Sequence, residues 1–387
     1  MFQYTQALLD ALRQLDHSKF EIVRAYQGEA WELVLKRLQL SGHRLTSAKW
    51  GKIFSEILTV LNIPGGIARL ISRLNPLVRE LEALHADIWI FPAQESVTYQ
   101  MSMPVIGTIH DLMHRYEPSF PEVGSPIRRR TREFRLKNIA HKSAAILVDS
   151  STGARHVSEC YQADLRKVFP LPYVAPAYIW IDSERIDFDD LYQLPKKFVF
   201  YPAQFWSHKN HKRLIEAVRL VRRRCPDVAI VFAGSKQKSY VEVETFVKTI
   251  GMESCVRFVG YVPDLDLRGF YKRARALVMP SFFGPTNIPP MEAMAVGCPV
   301  LVSDIYGMPE QCGDAALYFD PKSTEQIADR IEAVWTDDGT YEYLSSKGLA
   351  RATNYKQAHF NELFTTIIKR VTQNSDSIST DISNGQS

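Results

Sequence analysis

The sequence is short of the residues from which metal sites and disulfide frameworks are built. Its 387 residues include only five cysteines and ten histidines, with no Cys-x-x-Cys pair and no cluster of histidines. This scarcity argues against a zinc site and against a disulfide-stabilised secreted domain, and it fits a reducing cytosol. The cysteines stand at five separated positions: Cys160, Cys225, Cys255, Cys298 and Cys312.

Long apolar runs and a strong charge of either sign are missing as well. The mildly apolar stretch 53–71 is interrupted by Pro64 and two glycines, so it cannot cross a bilayer as one helix. A net charge of +4 is small for this length and gives no general attraction to nucleic acid. The basic run Arg128-Arg129-Arg130 is more typical of a solvated helix face, because no aromatic residue is interleaved with it. Since there is no secretory signal either, we expect a cytoplasmic protein that does not bind nucleic acid.

What the sequence does have is a regular alternation of short apolar runs with segments of helical spacing. Runs that are apolar on both faces and alternate with helices predict parallel sheets covered on both sides. Two sets of such runs predict an α/β fold made of two doubly wound Rossmann-like domains that face a central cleft. The predicted strands lie within 86–92, 105–111, 144–150, 198–203, 228–235, 256–262, 276–281 and 299–304.

The same pattern sets the predicted domain boundaries. The first domain spans 1–175 and the second 198–345, and the stretch 176–197, rich in proline, aromatic and acidic residues, is predicted to be the interdomain linker. A C-terminal helical segment follows at 346–373. The tail, 374–387, has almost no apolar residues and is predicted to be disordered. Because ligands of such sheets bind at the carboxyl ends of the strands, we expect a ligand site in the cleft.

A constrained loop runs into a predicted helix within 282–304, FFGPTNIPPMEAMAVGCPVLVSD. Three prolines stiffen this loop, whereas Thr286, Asn287 and Ile288 keep backbone N–H groups that can hold an anion at the helix start. Glu292, in the first helical turns, can accept hydrogen bonds from two hydroxyls, which suits a diol such as a ribose. An equally good interpretation of Glu292 is a favourable charge near a helix N-terminus.

A second strand-to-helix connection, FVFYPAQFWSHKNHKRL, carries Gln204 and Lys209. Lys209 falls where a helix is predicted to begin, so a cation and free N–H groups would form a phosphate cradle without the glycines of a P-loop. The alternative is a solvated helix start capped by Asn210. In the first domain, His110 ends a predicted strand and would face the cleft, although a lone histidine there is more often structural.

Together these segments resemble the retaining glycosyltransferases of the GT-B fold, family 4 (glycosyl transferases group 1), which use nucleotide-activated sugars. The hallmark of that family, E-G-F-G-L-P-x-x-E-A-M-A-x-G-x-P-V, is matched by 284–300, and its Arg-x4-Lys by Gln204 to Lys209. In the first domain, IHDLMHRYEPSFP and AAILVDSSTGARHVSECY are similar to the acceptor half of the family. The resemblance covers nearly the whole chain except the tail and parts of 37–82.

The resemblance implies a role for each of these positions in binding a nucleotide-diphosphate-sugar donor. Lys209 would hold the diphosphate, Glu292 the ribose, and His110 would contact the donor sugar from the opposite domain; these three are the expected catalytic residues. The other donor-binding positions would be loop amides, residues against the base and residues near the phosphates: Thr286, Asn287 and Ile288; Gly260, Tyr261 and Val262; and Gln204, Gly234 and Ser235.

The same resemblance implies transfer of a sugar, with retention of configuration, to a glycan or lipid-linked acceptor in surface polysaccharide or lipopolysaccharide assembly. The domain at 1–175 would take the acceptor and the domain at 198–345 the nucleotide sugar. Neither a metal nor a cofactor other than the donor is expected, because Lys209 and the loop amides would neutralise the diphosphate.

Two alternatives to this function stay open. The main one is a catalytically weak GT-B-like protein that binds a nucleotide or a glycan, and donor turnover by the purified chain would exclude it. The other is a nucleotide-sugar epimerase of the same fold, which would need acidic catalytic residues that the sequence does not place.

Three departures from the family pattern bear on these expectations. The first acidic residue of the hallmark is Gly284, and the arginine of the phosphate site is Gln204. Because both changes occur in an otherwise intact motif, they indicate variation within a subgroup. The chain also begins directly with a helix-like stretch, 2–15, where the family has a strand and a Gly-Gly loop. We therefore expect the first domain to lack its first strand, and codons upstream of Met1 to encode one.

One segment has the composition of a membrane contact. Trp50, Phe54, Ile57 and Leu61 recur at helical spacing within a region, 49–79, that holds five basic residues. The favoured interpretation is a helix that packs this stripe on the first sheet. The alternative is a peripheral contact with an anionic leaflet at the inner face of the plasma membrane, where a lipid-linked acceptor would be met.

Overall fold

The computed structural model describes residues 2–182 and 185–384, without the side chains of 374–384. Contacts between residues divide the chain into two compact units. Unit 1 consists of Met1–Tyr116, Val123–Leu171 and Phe360–Ser387, and unit 2 of Glu117–Glu122 and Pro172–His359.

The strands are short, and most of them hold four residues. In chain order, the described strands are β1 (Ala25–Tyr26), β2 (His43–Arg44), β3 (Trp89–Ile90), β4 (Val105–Thr108), β5 (Ala145–Val148), β6 (Val168–Pro170), β7 (Val199–Pro202), β8 (Ile230–Ala233), β9 (Val256–Gly260), β10 (Ala276–Met279), β11 (Val300–Ser303) and β12 (Ala316–Phe319).

The helices alternate with these strands along most of the chain. In chain order, the described α-helices are α1 (Phe2–Arg13), α2 (Glu29–Arg37), α3 (Ala48–Val60), α4 (Gly65–Ser72), α5 (Pro76–Glu82), α6 (Met113–Tyr116), α7 (Pro126–Lys142), α8 (Ser151–Tyr161), α9 (Phe188–Tyr192), α10 (His211–Val221), α11 (Tyr240–Thr249), α12 (Asp264–Arg273), α13 (Ile288–Ala295), α14 (Met308–Cys312), α15 (Thr324–Thr336), α16 (Asp338–Ala352) and α17 (Gln357–Asn384).

Unit 1 is centred on a parallel sheet with the described strands in the order β3-β4-β5-β6, and a smaller parallel sheet pairs β1 with β2. Ile146 of β5, Leu136 of α7 and Val157 of α8 are buried together in one core cluster. The first helix docks on this unit through Tyr4, whose ring lies 5.9 Å from that of Phe360, between centroids.

Unit 2 is centred on a parallel sheet with the described strands in the order β12-β11-β10-β7-β8-β9. From β7 the chain winds outward to β9 on one side, and it then returns to β10 and winds outward to β12 on the other side. Phe200, Val231 and Leu277 lie on the three central strands and are fully buried. This double winding places the loops after β7 and β10 at the centre of one sheet edge.

The eight predicted apolar runs each contain a strand, and the strands of each sheet are parallel, so the predicted α/β class is confirmed. Burial explains why the pattern was readable: the strands β4, β5, β8, β10 and β11 are buried at every position. The sequence did not predict four strands, all of which have exposed or partly exposed positions: β1, β2, β6 and β12. Of these, β6 and β12 are edge strands of their sheets.

The stretch predicted as a linker, 176–197, packs within unit 2 where it is described. Ile179 and Phe188 are buried in the core of that unit. From Phe360 onward, α17 belongs instead to unit 1. The tail predicted to be disordered, 374–387, lies outside the described side chains, and its disorder stays a prediction.

The apolar stripe of α3 does not pack on the sheet of unit 1, so the favoured interpretation of this helix is wrong. Trp50, Ile57 and Leu61 are exposed. The helix instead buries its small and polar side against neighbouring segments, for a reason described below. In the described part of the chain, none of the helices is both long enough and apolar enough to cross a membrane.

Candidate functional site

The candidate site lies at the carboxyl ends of the unit 2 strands, where the direction of winding reverses. The strands β7 and β10 are neighbours, but the chain continues from β7 to β8 on one side and from β10 to β11 on the other. The connections 203–210 and 280–287 therefore diverge from adjacent strands. In open parallel sheets, the crevice left by such diverging loops is the usual place for a ligand.

Hydrogen bonds tie these two loops to each other. The amide of Phe282 donates to the carbonyl oxygen of His208 at 2.8 Å. The side-chain amide of Asn210 donates to the carbonyl oxygens of Pro280 at 3.0 Å and Pro321 at 2.8 Å. With a φ of 62°, Asn210 has a left-handed conformation that asparagine tolerates better than most residues. Asn210 thus bridges loops with its side chain and does not cap α10 with it.

Lys209 ends a short 3₁₀ turn, Ser207–Lys209, that leads into α10. Its carbonyl oxygen accepts a hydrogen bond from the Tyr201 hydroxyl at 3.0 Å, which fixes the backbone at this point. Burial lowers the pKa of Lys209 to about 8, and the nearby carboxylate of Glu122 opposes that shift. Burial disfavours the charged form of Lys209, and an anionic ligand beside it would stabilise that form again. The position of Lys209 therefore suits the binding of an anion.

A carboxylate that no sequence motif indicated, that of Glu122, contacts the same turn. Its Oε1 accepts hydrogen bonds from the amides of Ser207 and His208, the latter at 3.4 Å. Its Oε2 is buried without a hydrogen-bond partner among the described residues. Two amides of the turn that ends at Lys209 are therefore occupied by a carboxylate in this structure, whereas the phosphate cradle at the helix start stays a prediction. Sequence patterns could not find Glu122 because it lies 85 residues before Ser207.

The rest of the segment 117–122 contacts two further loops of the same sheet edge. Glu117 accepts a hydrogen bond from the Tyr306 hydroxyl at 2.8 Å, in the loop after β11. Phe120 packs against Phe282 in the loop after β10, with ring centroids 5.4 Å apart. The segment thus lies across the loops that follow β7, β10 and β11, and it brings negative charge close to Lys209.

Glu292 lies in α13 and is only 3% exposed. Its two carboxylate oxygens accept hydrogen bonds from the hydroxyls of Tyr178 and Tyr271, the latter at 2.6 Å. Burial raises the pKa of Glu292, and the two phenols counteract part of the shift. Since an ionised carboxylate offers about four acceptor positions, it can hold further hydroxyls. Neither tyrosine was singled out from the sequence, because both lie far from Glu292 along the chain.

A side-chain clamp holds the loop before α13. The Gln311 side chain accepts a hydrogen bond from the Asn287 amide at 3.0 Å and donates one to its carbonyl oxygen at 2.6 Å. The Asn287 amide, expected to face a donor, is therefore bonded within unit 2 in this structure. A Cβ added at Gly284 would lie 2.1 Å from Nδ2 of Asn287. The Asn287 side chain thus fills the space that an acidic side chain at position 284 would need.

The loops after β7, β8 and β9 are also linked to one another. The amide of Gly234 donates to the carbonyl oxygen of Gly260 at 2.7 Å. The amide of Phe205 donates to the carbonyl oxygen of Ser235 at 3.3 Å. A Cβ added at Gly234 would lie 2.3 Å from the carbonyl oxygen of Ala203. Glycine at position 234 is therefore required for the close approach of two backbones at the site.

The remaining predicted donor-binding side chains differ in exposure. Val262 is buried, whereas Tyr261 is 71% exposed. Gln204, which replaces the arginine of the family motif, is exposed. Its Oε1 accepts a hydrogen bond from Nε1 of Trp206 at 2.9 Å. Gln204 thus keeps a polar group at this edge of the sheet but supplies no charge.

His110 belongs to unit 1 and lies just beyond the end of β4. Its Nε2 is 2.8 Å from the carbonyl oxygen of Pro92, and its ring meets that of Tyr4 edge-on, with centroids 5.1 Å apart. Burial lowers the pKa of His110, so the ring is neutral at pH 7. Because a carbonyl oxygen can only accept, Nε2 carries the proton. The contact of His110 with a donor sugar stays a prediction.

All the predicted site residues other than His110 lie in unit 2, near the carboxyl ends of its strands. Residues 182–351 of the chain match the family described as glycosyl transferases group 1. This part of the chain is similar to the group 1 glycosyltransferases. It contains both Lys209 and Glu292, whereas two residues that contact them or their loops, Glu122 and Tyr178, lie before the matched region.

Curated proteins similar to this chain include two that are named O-antigen chain mannosyltransferases. The chain is 32% identical over 169 residues to the O-antigen chain mannosyltransferase B of Escherichia coli. That match covers 42% of the chain and 44% of the relative, so the chain spans less than half the length of that protein. The chain is 26% identical over 298 residues to the O-antigen chain mannosyltransferase RfbU of Salmonella typhimurium, which covers 72% of the chain and 79% of the relative.

Among solved structures, the chain is similar to Anabaena HepE, determined in complex with UDP and glucose. The TM-score is 0.67 at 17% sequence identity, and the match covers 88% of this chain and 89% of HepE. At this identity the likeness shows the fold alone. It confirms the predicted fold class, an α/β protein of the GT-B type with two Rossmann-like domains.

Proposed function

We propose that this chain is a glycosyltransferase that moves a sugar from a nucleoside-diphosphate sugar to a glycan acceptor. The observation that supports it best is the placement of Lys209 and Glu292 at the switch point of unit 2. One is a cation with a lowered pKa, and the other is a buried carboxylate that already accepts hydrogen bonds from two hydroxyls. A nucleoside diphosphate offers the matching groups, an anionic diphosphate and a ribose diol.

The proposed chemistry is stabilisation of the departing diphosphate. As the bond between sugar and phosphate breaks, negative charge builds up on the phosphate oxygens. Lys209 would neutralise part of this charge in a poorly hydrated site, where the attraction is stronger than in bulk water. Glu292 would hold the ribose and so fix the position of the reacting bond. Retention of configuration at the anomeric carbon is part of the proposal and rests on the family resemblance.

The proposed donor is a nucleoside-diphosphate mannose, and the proposed setting is the assembly of a surface polysaccharide. The support is that two curated proteins similar to this chain are named O-antigen chain mannosyltransferases. The acceptor would be a growing glycan, free or carried on a lipid. The donor is the only small molecule that the proposed reaction needs. We place the reaction in the cytoplasm, because the few scattered cysteines suit a reducing compartment.

The alternative function is that of a catalytically weak protein that binds a nucleotide or a glycan. One observation favours it: Glu122 occupies the amides of Ser207 and His208. This arrangement would have to change if a diphosphate were to use the same amides. The two functions differ in one measurable property, which is turnover of the donor.

The first test is a thermal-shift screen of the purified chain with UDP, GDP and ADP and with their mannose and glucose derivatives. A nucleotide at about 100 times its dissociation constant should stabilise the folded protein by about 2.7 kcal/mol. Release of nucleoside diphosphate from the stabilising sugar nucleotide is then measured with and without a glycan acceptor. Binding without any release supports the alternative function. If no nucleotide stabilises the chain, the proposed function is wrong, and only the glycan-binding form of the alternative agrees with the result.

The second test concerns Lys209 directly. Lys209→Ala removes a charge-assisted contact with the diphosphate and should weaken donor binding by roughly 1.5–3 kcal/mol, with a larger loss of rate. The matched control is Lys212→Ala, three residues further along the chain in the first turn of α10, where the lysine is partly exposed and paired with Glu242. The control should bind and turn over the donor as the unmodified chain does. Unchanged turnover in Lys209→Ala would remove this lysine from the mechanism.

A further inference from the structure

Helix α3 buries its polar side and exposes its apolar side. The buried residues are mostly small or polar: Ala48, Gly51, Ser55, Leu58 and Thr59. The exposed large side chains at and just beyond the helix are apolar and follow helical spacing: Trp50, Ile53, Ile57, Val60 and Leu61. A helix on a water-exposed surface normally has the opposite arrangement.

Specific buried contacts hold α3 in this orientation. The Ser55 hydroxyl donates to Oε1 of Gln100 at 2.8 Å. The side-chain amide of Asn75 donates to the Ser55 hydroxyl at 2.9 Å and to the carbonyl oxygen of Gly51 at 3.1 Å. A Cβ added at Gly51 would lie 2.1 Å from Cβ of Leu77, so no larger residue fits there. Turning the helix to bury its apolar side would break these hydrogen bonds and leave buried polar groups unsatisfied.

The next helix also exposes apolar side chains. On α4 and directly after it, Ile67, Leu70 and Leu74 follow helical spacing and are also exposed. We call the combined set the α3–α4 face, and its members are 44% to 73% exposed: Trp50, Ile53, Ile57, Val60, Leu61, Ile67, Leu70 and Leu74. Isolated surface hydrophobics are ordinary, but a run of eight within 25 consecutive residues is typical of an interaction surface.

Basic residues outnumber acidic ones around the α3–α4 face. Lys49 and Arg73 are exposed and Arg69 is partly exposed, whereas Lys52 is partly exposed and pairs with Glu95 at 2.8 Å. The only acidic residue between positions 48 and 75 is Glu56, and an arginine of α7 pairs with it at 2.7 Å. The ammonium group of Lys49 lies 5.9 Å from the ring centroid of Trp50. The face therefore combines apolar side chains with a basic rim.

We propose that the α3–α4 face docks unit 1 on an anionic membrane surface. The apolar side chains would enter the boundary between headgroups and acyl chains, and the basic rim would attract anionic headgroups. Trp50, at the edge of the face, suits this boundary because tryptophan has an apolar body and a polar N–H group. The contact is peripheral. It goes beyond the proposed transfer reaction and does not depend on it.

The test is flotation of the full chain with vesicles of two compositions. One is phosphatidylcholine alone, and the other contains about one third phosphatidylglycerol. At low ionic strength the protein should float with the mixed vesicles, and the bound fraction should fall as salt is added because the Debye length shortens. If the chain stays at the bottom with the mixed vesicles at low salt, the proposal is wrong.

Two pairs of variants locate the contact. Ile57→Ser with Leu70→Ser should lower partitioning by about tenfold or more, because two apolar side chains are lost from the buried surface. The control is Val241→Ser with Leu265→Ser, exposed apolar residues of unit 2. Replacing both Lys49 and Arg73 with Glu reverses two charges of the basic rim and should also lower partitioning by about tenfold or more. The same replacement at the exposed Arg219 and Lys238 of unit 2 should leave partitioning unchanged. Equal effects of the face variants and their controls would overturn the proposal.

A second copy of the chain is the other possible occupant of the face. Light scattering would then show a dimer that Ile57→Ser with Leu70→Ser converts to a monomer, and the unmodified chain would not float with either vesicle. That result also overturns the proposal. Because the substituted side chains are exposed, the melting temperatures of all variants should match that of the unmodified chain. Flotation of the unmodified chain decides the question even if a variant folds poorly.

Discussion

At the scale of single residues, the ionisation of Lys209 connects structure and proposed function most directly. Burial lowers its pKa to about 8, so its charge is present below that pH and is lost above it. If this charge holds the diphosphate, kcat/KM for the donor should fall as the pH rises through about 8, since kcat/KM reports the free enzyme. Lys209→Arg stays charged and should lose this alkaline decline, although its absolute rate will be lower.

A pH series of kcat/KM on both proteins checks this prediction. The Arg variant serves as the control for every other group that titrates in the same range. An alkaline decline of the same size and midpoint in Lys209→Arg would assign the decline to a different residue. Lys209 would then act, if at all, without changing its protonation state.

Glu122 leads to a second prediction at this scale. Its carboxylate accepts from the amides of Ser207 and His208 and lies near Lys209, so it competes with a diphosphate for the same groups. Glu122→Gln keeps the shape and removes the negative charge. Binding of the nucleoside diphosphate, measured by calorimetry, should tighten by about threefold to tenfold.

The matched control for Glu122 is Glu117→Gln in the same segment. Glu117 bonds to Tyr306 and makes no described contact with the turn that holds Lys209. If charge near Lys209 is what matters, only the change at Glu122 should tighten binding. Weaker binding in Glu122→Gln would show that this carboxylate holds the turn in its binding shape.

At the scale of structural elements, the loop before α13 shows how two departures from a family motif can compensate. The motif has an acidic residue where this chain has Gly284, and a glycine where this chain has Asn287. The glycine of the motif thus stands at position 284 in this chain instead of position 287. The Asn287 side chain occupies the space next to Gly284. Variation within a subgroup stays a prediction, but the structure shows why an acidic side chain at position 284 and asparagine at position 287 would not fit together.

Restoring only the acidic residue should therefore damage the loop. Gly284→Glu should destabilise the protein by about 1–3 kcal/mol because its Cβ meets the Asn287 side chain, and it should not raise donor turnover. Adding Asn287→Gly should recover most of the lost stability, as measured by urea unfolding. If the single and double variants are equally destabilised, the clash is not the cause.

The buried strands of the two larger sheets were predictable from the sequence, but the orientation of α3 was not. Buried parallel strands are apolar at every position, so runs such as β5 and β8 stand out in the sequence. For α3, the apolar stripe alone indicated burial. The polar groups that hold the opposite side inward, Asn75 and Gln100, lie 20 and 45 residues from Ser55, and nothing in a periodic pattern shows such pairs.

The same limit applies to the candidate site. Lys209 and Glu292 were identifiable because each lies in a local strand-to-helix connection with a recognisable motif. Their hydrogen-bond partners come from elsewhere in the chain and belong to no recognisable motif. Tyr178 and Tyr271 bond to Glu292, and Glu122 bonds to the turn that ends at Lys209. Their effect on charge and hydrogen bonding depends on the folded arrangement.

At the scale of the whole molecule, the C-terminal helix completes the first unit. From Phe360 onward α17 belongs to unit 1, and Phe360, Phe364 and Ile368 are buried there. Phe364→Ala should destabilise unit 1 by about 3–5 kcal/mol, because it removes a fully buried aromatic ring. Lys369→Ala, at an exposed position of the same helix, should change stability by less than about 0.5 kcal/mol.

Hydrogen exchange followed by mass spectrometry can localise this effect. Amides of β4 and β5 in unit 1 should exchange faster in Phe364→Ala, whereas those of β8 and β10 in unit 2 should be unchanged. Equal acceleration in both sets of strands would show that the two units unfold as one. The prediction that Phe364→Ala destabilises unit 1 without destabilising unit 2 would then be wrong.

The position of α17 also has a consequence for synthesis on the ribosome. The residues of unit 2 from Pro172 to His359 have all been translated before the first residue that α17 contributes to unit 1. Unit 1 begins before unit 2 in the chain but is therefore completed after it. Until Phe360 has been translated, the apolar surface around Tyr4 lacks this neighbour. During this interval the nascent chain is exposed to aggregation and to chaperones.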